Sequence, residues 1–149
     1  MNAIVIGAGA SGIVAAFKLS EKANVTLLEK NDKCCKKILI TGNGKCNYWN
    51  KNIDISKYNT DSKDNLKKIL ENQNKTFNFL DSLGIYPIIK NDYYYPHSET
   101  SMSMKEIFTK ALEKRVNIVY NTEVLEIKKE NNKFKVLTNN KEYEADKVI

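Results

Sequence analysis

The first thirty residues constrain the fold more than any other part of the chain. Asn2 to Ile6 is a short apolar run that breaks at Gly7-Ala8-Gly9-Ala10-Ser11-Gly12. Ile13, Val14, Phe17 and Leu19 then follow at helical spacing, and the pattern ends near Lys22. Val25 to Leu28 reads as a second buried strand and stops at Glu29. A strand, a glycine turn, a helix and a strand in that order predict a βαβ unit with a right-handed crossover and a parallel sheet.

The glycine spacing gives this unit a chemical task. Gly7 permits a tight turn, Gly9 lets backbone amides approach a pyrophosphate, and Gly12 lets the helix sit close to the strand. A helix N-terminus with free N–H groups and partial positive charge suits an anionic ligand, and the Ser11 hydroxyl can add a donor there. Glu29 stands 22 residues after Gly7, where it can accept both hydroxyls of an adenosine ribose. A carboxylate at that point disfavours a 2′-phosphate. Both NAD and FAD fit this fingerprint. The thirty or so polar residues after Glu29 carry a second glycine loop, Thr41-Gly42-Asn43-Gly44, and this long excursion favours the larger cofactor, FAD.

Further along, Asp61 or Ser62 can cap one long helix bearing Leu66, Ile69, Leu70, Phe77, Leu80 and Leu83, with Gly84 at its C′ position. Ile85–Ile89 and Tyr93–Tyr95 are expected as strands around Lys90-Asn91-Asp92. Ser103 with Glu106 suggests a capping box for the helix that follows. After Val116–Tyr120, the segments 122–129, 134–138 and 142–145 are expected to form a β-meander through Asn131-Asn132 and Asn139-Asn140. Lys147-Val148-Ile149 begins a further strand. The expected organisation is a βαβ unit at 1–30, a glycine loop and inserted segment at 31–115, and a strand, meander and final strand at 116–149.

Composition narrows the function classes. The 149 residues carry a net charge of +6, yet Arg115 is the only arginine and the lysines are mixed with acids, so nucleic acid is not expected as a partner. No apolar run approaches the length of a membrane span, and no leader-like segment follows Met1, so a cytoplasmic protein is expected. Cys34, Cys35 and Cys46 do not suggest a disulfide framework, and with His97 as the only histidine no metal centre is expected. Cys34–Cys35 reads as two reduced thiols, with a redox pair as the alternative. Catalytic residues are not legible: Cys46 has no activating neighbour in sequence, and His97 is at most a candidate general acid.

The run Lys36-Lys37-Ile38-Leu39-Ile40-Thr41-Gly42-Asn43-Gly44-Lys45-Cys46-Asn47 resembles the BaiN/RdsA-type flavoproteins, also known as aminoacetone oxidase family FAD-binding enzymes. Tyr95-Pro96-His97-Ser98 and Asn121-Thr122-Glu123-Val124 are similar to two further segments of that family. The resemblance implies an α/β, Rossmann-like FAD/NAD(P)-binding domain with a parallel sheet, an inserted helix and hairpin segment and a β-meander. It implies FAD as cofactor, with Gly7, Gly9, Ser11 and Gly12 at the pyrophosphate, Glu29 at the ribose, and Ala10 and Lys30 as further cofactor-binding residues. Lys37 would face the cofactor, Gly42, Gly44, Cys46 and Asn47 would run toward the flavin, and the Val124 main chain would meet adenine. Lys45 stands where the family usually has arginine, and Cys35 where a glycine often precedes the basic pair.

The family implies hydride transfer through flavin, with a small-molecule substrate or reduced nicotinamide as partner. The chain resembles the first third of such a protein, and is expected alone to hold FAD weakly, to lack turnover and to self-associate. A small NAD-binding Rossmann protein, and an inactive truncated nucleotide-binding fragment, are the alternative readings.

Overall fold

The computed structural model describes all 149 residues, Met1–Ile149. In chain order the elements are β1 (Asn2–Ile6), α1 (Ala10–Leu19), β2 (Asn24–Leu28), β3 (Trp49–Asn50), α2 (Lys63–Glu71), α3 (Gln73–Ser82), β4 (Pro87–Lys90), β5 (Tyr93–Pro96), α4 (Ser101–Glu113), β6 (Asn117–Val119), β7 (Val124–Glu130), β8 (Lys133–Thr138), β9 (Glu142–Ala145) and β10 (Lys147–Val148). Short 3₁₀ turns occur at Ile38–Gly44 and Ile55–Lys57. The chain divides into two compact units, one made of Met1–Leu39 and Lys105–Ile149, the other of Ile40–Met104. The second unit is narrower than the 31–115 insertion expected from sequence.

In the first unit, a parallel sheet runs in the order β10-β1-β2-β6. Ala3, Ile4 and Val5 of β1 are all buried, as a parallel strand covered on both faces requires. Strand alternation divides the work. Ile4 and Leu28 pack with Val136 and Ala145 of the antiparallel meander β7-β8-β9, and Ile6, Val119 and Val148 join them. Val5 points the other way, toward α1. That helix buries Ile13, Ala16 and Phe17, an i, i+3, i+4 stripe, and each large apolar side chain buried this way contributes about 1.5–3 kcal/mol. It ends at Leu19, three residues before the sequence pattern fades, where Ser20 caps it by donating from Oγ to Phe17 O at 2.7 Å.

The second unit contains the sheet β3-β5-β4, with Trp49, Phe77 and Tyr94 in ring contact. Its β4–β5 hairpin turns on Asn91 and Asp92, both at positive φ, as a two-residue turn between twisted strands demands. Two expectations fail here. The long helix is two, α2 and α3, divided at Asn72. That asparagine donates from its side chain to Lys68 O at 2.6 Å, and its backbone (φ −91°, ψ 14°) leaves the helical path. The capping box at Ser103 does not form either: α4 starts earlier, where Thr100 Oγ1 accepts from Met102 N at 3.1 Å, and Ser103 Oγ instead donates back to Thr100 O at 2.8 Å. Gly84 does stand at C′ of α3, at φ +77°. Gly84 N donates to Asp81 O and Ile85 N to Leu80 O, both at 2.9 Å, with Ile85 and Leu80 buried together beneath the turn.

Candidate functional site: a glycine-lined pocket at the end of the parallel sheet

β1 delivers the chain into Gly7, whose φ of +93° only glycine adopts without strain. Gly7 N donates to Leu28 O at 2.8 Å, so the turn is tied to β2 as it leaves the sheet. Gly9 then caps α1 in an extended conformation (φ −79°, ψ −178°), and the first helical bond is Ile13 N to Gly9 O at 3.0 Å. The N–H groups of Ala10, Ser11 and Gly12 precede that bond and have no helical acceptor. The two remaining glycines differ physically. A Cβ built on Gly9 meets no atom within 4 Å, whereas one on Gly12 would stand 1.9 Å from Gly7 O. Gly12 therefore serves packing of α1 on the turn, and Gly9 keeps open the space in front of the helix.

Gly7, Ala8, Gly9, Glu29, Lys30, Lys37 and Val124 line one pocket of about 430 Å³, within the first unit. Asn31, Lys36, Thr122 and Glu123 also line it, although none of them was expected as a site residue. The wall from Thr122 to Val124 lies beside β2 because Thr122 N donates to Glu29 O at 2.9 Å and Asn121 N to Asn31 O at 3.0 Å. The Lys30 amine stands 3.9 Å from the Glu123 carboxylate in a solvent-exposed pair.

The Glu29 side chain is buried yet charged. Ala8 N donates to Oε2 at 2.6 Å; Asn31 N and Asn31 Nδ2 donate to Oε1 at 2.8 Å and 2.5 Å. Burial by itself would raise the carboxyl pKa, but these donors, led by Asn31 N and Ala8 N, outweigh it and hold the value below the ordinary 4.5. Glu29 thus adds stability that is fully present above pH 4.5 and disappears as pH falls through its lower folded value. The melting-temperature gap between wild type and Glu29→Gln should shrink on acidification below that point. A gap unchanged across the titration, followed by circular dichroism, would contradict it.

Gly42, Gly44, Cys46 and Asn47 belong to the second unit, where they build a compact loop. Cys46 N donates to Thr41 O at 3.1 Å and Lys45 N to Gly42 O at 3.0 Å. A Cβ on Gly42 would lie 2.8 Å from Asn47 N. Asn47 Oδ1 is buried without a hydrogen-bond partner. Cys46 is buried and burial pushes its thiol pKa up, the opposite of what activates a nucleophile. Cys34, in the first unit, is raised in the same way despite its 3.2 Å contact with Tyr120 Oη. None of the three cysteines is in a disulfide. Cys35 adopts φ +63°, so the chain keeps at that position the left-handed conformation that suits the family's glycine. His97 is exposed, and its backbone N–H donates to Tyr86 O at 2.8 Å. No helix is long and apolar enough to cross a membrane.

The sequence profile of the family described as "HI0933-like protein Rossmann domain" matches residues 1–149. The chain belongs to this family. It is 34% identical over 156 residues to the 3-dehydro-bile acid delta(4,6)-reductase of Clostridium scindens, an alignment that covers 100% of this chain and 38% of that relative. Among solved structures, it resembles the 3-ketosteroid-delta4-(5alpha)-dehydrogenase of Rhodococcus jostii RHA1, with a TM-score of 0.67 and 12% identity over 98% of this chain and 43% of that one. It also resembles Thermovibrio ammonificans THI4, with a TM-score of 0.60 and 12% identity over 99% and 55%. The HI0933-like chain therefore has the fold of a dinucleotide-binding oxidoreductase domain, and FAD is the cofactor that goes with the family. The pocket accommodates it chemically: it has open space before a helix N-terminus for a pyrophosphate and a buried, ionised carboxylate for a ribose.

Proposed function

We propose that the first unit's pocket holds the adenosine diphosphate half of FAD, and that the whole protein is a flavin-dependent oxidoreductase. The observation that carries this reading is the convergence of Gly7, Gly9, Glu29 and Val124 on one pocket, with Gly9 leaving the helix end open. In this reading the N–H groups of Ala10, Ser11 and Gly12 receive the pyrophosphate, Glu29 takes the adenosine ribose, and the Val124 main chain borders the adenine. Lys30 and Lys37 supply positive charge along the same wall, where long side chains attract phosphate without fixing its geometry. The bound flavin ring would supply hydride acceptance and donation, while the protein positions it and tunes its surroundings. Gly42, Gly44, Cys46 and Asn47 are proposed as cofactor-facing residues of the second unit.

Reduced nicotinamide is proposed as the electron source and a small molecule as the acceptor. The name of the Clostridium scindens relative favours reduction of a conjugated carbon–carbon double bond over other acceptors. The absorbance spectrum of purified protein, followed by mass identification of any released cofactor, tests FAD directly. Glu29→Ala should weaken ADP-ribose binding about tenfold to hundredfold, since a hydrogen bond to a charged group is worth about 1.5–3 kcal/mol. Equal affinity of both proteins by calorimetry would remove Glu29 from the ribose. A preparation that binds NAD tightly and shows no flavin absorbance would overturn the FAD assignment.

A further inference from the structure

An ionised carboxylate offers about four acceptor positions, two on each oxygen. On Glu29, three are already filled by the protein. Asn31 N and Asn31 Nδ2 occupy Oε1 at 2.8 Å and 2.5 Å, and Ala8 N takes one position on Oε2 at 2.6 Å. The Asn31 amide is itself held in orientation. Lys36 Nζ donates to Asn31 Oδ1 at 3.1 Å, which commits the amide NH₂ to the carboxylate, and Asn121 N donates to Asn31 O at 3.0 Å. Lys36, Asn31 and Glu29 all line the same pocket.

We propose that Asn31 is a specificity-determining positioning residue: by filling both acceptor positions of Glu29 Oε1, it leaves the carboxylate one free position, on Oε2, so that Glu29 reads one adenosine-ribose hydroxyl instead of two. The inference rests on the placement of the ADP half in this pocket. Selection among nucleotides then depends on the Asn31 clamp as well as on the charge of Glu29. The second hydroxyl contributes little, and a ligand lacking it is accepted nearly as well.

Calorimetry with the 149-residue chain and three probes decides this: ADP-ribose and its analogues lacking either the 2′- or the 3′-hydroxyl of the adenosine ribose. In wild type, loss of one hydroxyl should weaken binding about tenfold or more, and loss of the other less than about threefold. Asn31→Ala leaves only the backbone donor on Oε1 and opens a second acceptor position, so the two analogues should become nearly equivalent. The same change should raise the Glu29 carboxyl pKa, read by carbon NMR, because a bond favouring the charged form is gone. Asn31→Leu keeps the side-chain size while removing the donor, and the same closing of the gap is expected if the alanine variant does not fold. Equal losses for both analogues in wild type, or a gap that persists in the variants, would overturn the role of Asn31 while leaving Glu29 on the ribose. Failure of wild type to bind ADP-ribose at all would overturn the placement of the ADP half, and this inference with it.

Discussion

Gly12→Ala is expected to lower the stability of the HI0933-like domain by about 3 kcal/mol, near the upper end for inserting a methyl group into a packed interior. The new Cβ would lie 1.9 Å from Gly7 O, with Val5 Cγ1 behind it at 3.6 Å. The obstruction at 1.9 Å is backbone, in a turn pinned by Gly7 N to Leu28 O. No flexible side-chain end can move aside, so α1 must lift off β1 or the turn must open. A melting temperature reduced by about 10 °C is the expected result for a chain of this length. Circular dichroism melts of both proteins check it, and an unchanged transition would mean that helix and turn are not packed as described.

Gly9→Val should do the reverse: keep the fold and lose the ligand. The backbone there is extended, which valine adopts readily, and a Cβ at this position meets nothing within 4 Å. The melting temperature should therefore stay within a few degrees of wild type. The isopropyl group would fill the space before the helix that a pyrophosphate needs. Losing two charge-assisted hydrogen bonds, at about 1.5–3 kcal/mol each, predicts an affinity for FAD or ADP-ribose lower by at least about a hundredfold. Undiminished binding by a folded Gly9→Val protein would rule out this pyrophosphate site. In the proposed reading, two glycines three residues apart separate into a packing role and a ligand role, a distinction that the spacing motif suggests and that their different Cβ environments are consistent with.

Local features of this sequence were legible where short-range sterics decide the outcome. Asn131 and Asn132, like Asn91 and Asp92, turn hairpins because short polar side chains tolerate positive φ, and both turns form as the residues imply. The parallel βαβ unit follows from apolar strands flanking a glycine turn. The break at Asn72 was not legible, because an apolar pattern that continues at helical spacing does not reveal that one asparagine will bond back to Lys68 O. Nor was the start of α4: Ser98, Thr100, Ser101 and Ser103 crowd within six residues, and pattern alone does not choose among them.

By itself, the sequence determined the βαβ unit, the glycine turn and the acid at the end of β2, because each depends on contacts within about thirty residues. Only the tertiary structure decided that Val124 and Glu123 border the same pocket as Gly7. More than a hundred residues separate them, and the juxtaposition depends on β6 pairing beside β2 and on Thr122 N reaching Glu29 O. The clamp on Glu29 is equally invisible in one dimension. Asn31 is two residues away in sequence, but its amide reaches the carboxylate only because Lys36 and Asn121 fix the loop that carries it. A hydrogen bond needs direction as well as proximity, and direction is set by the folded backbone.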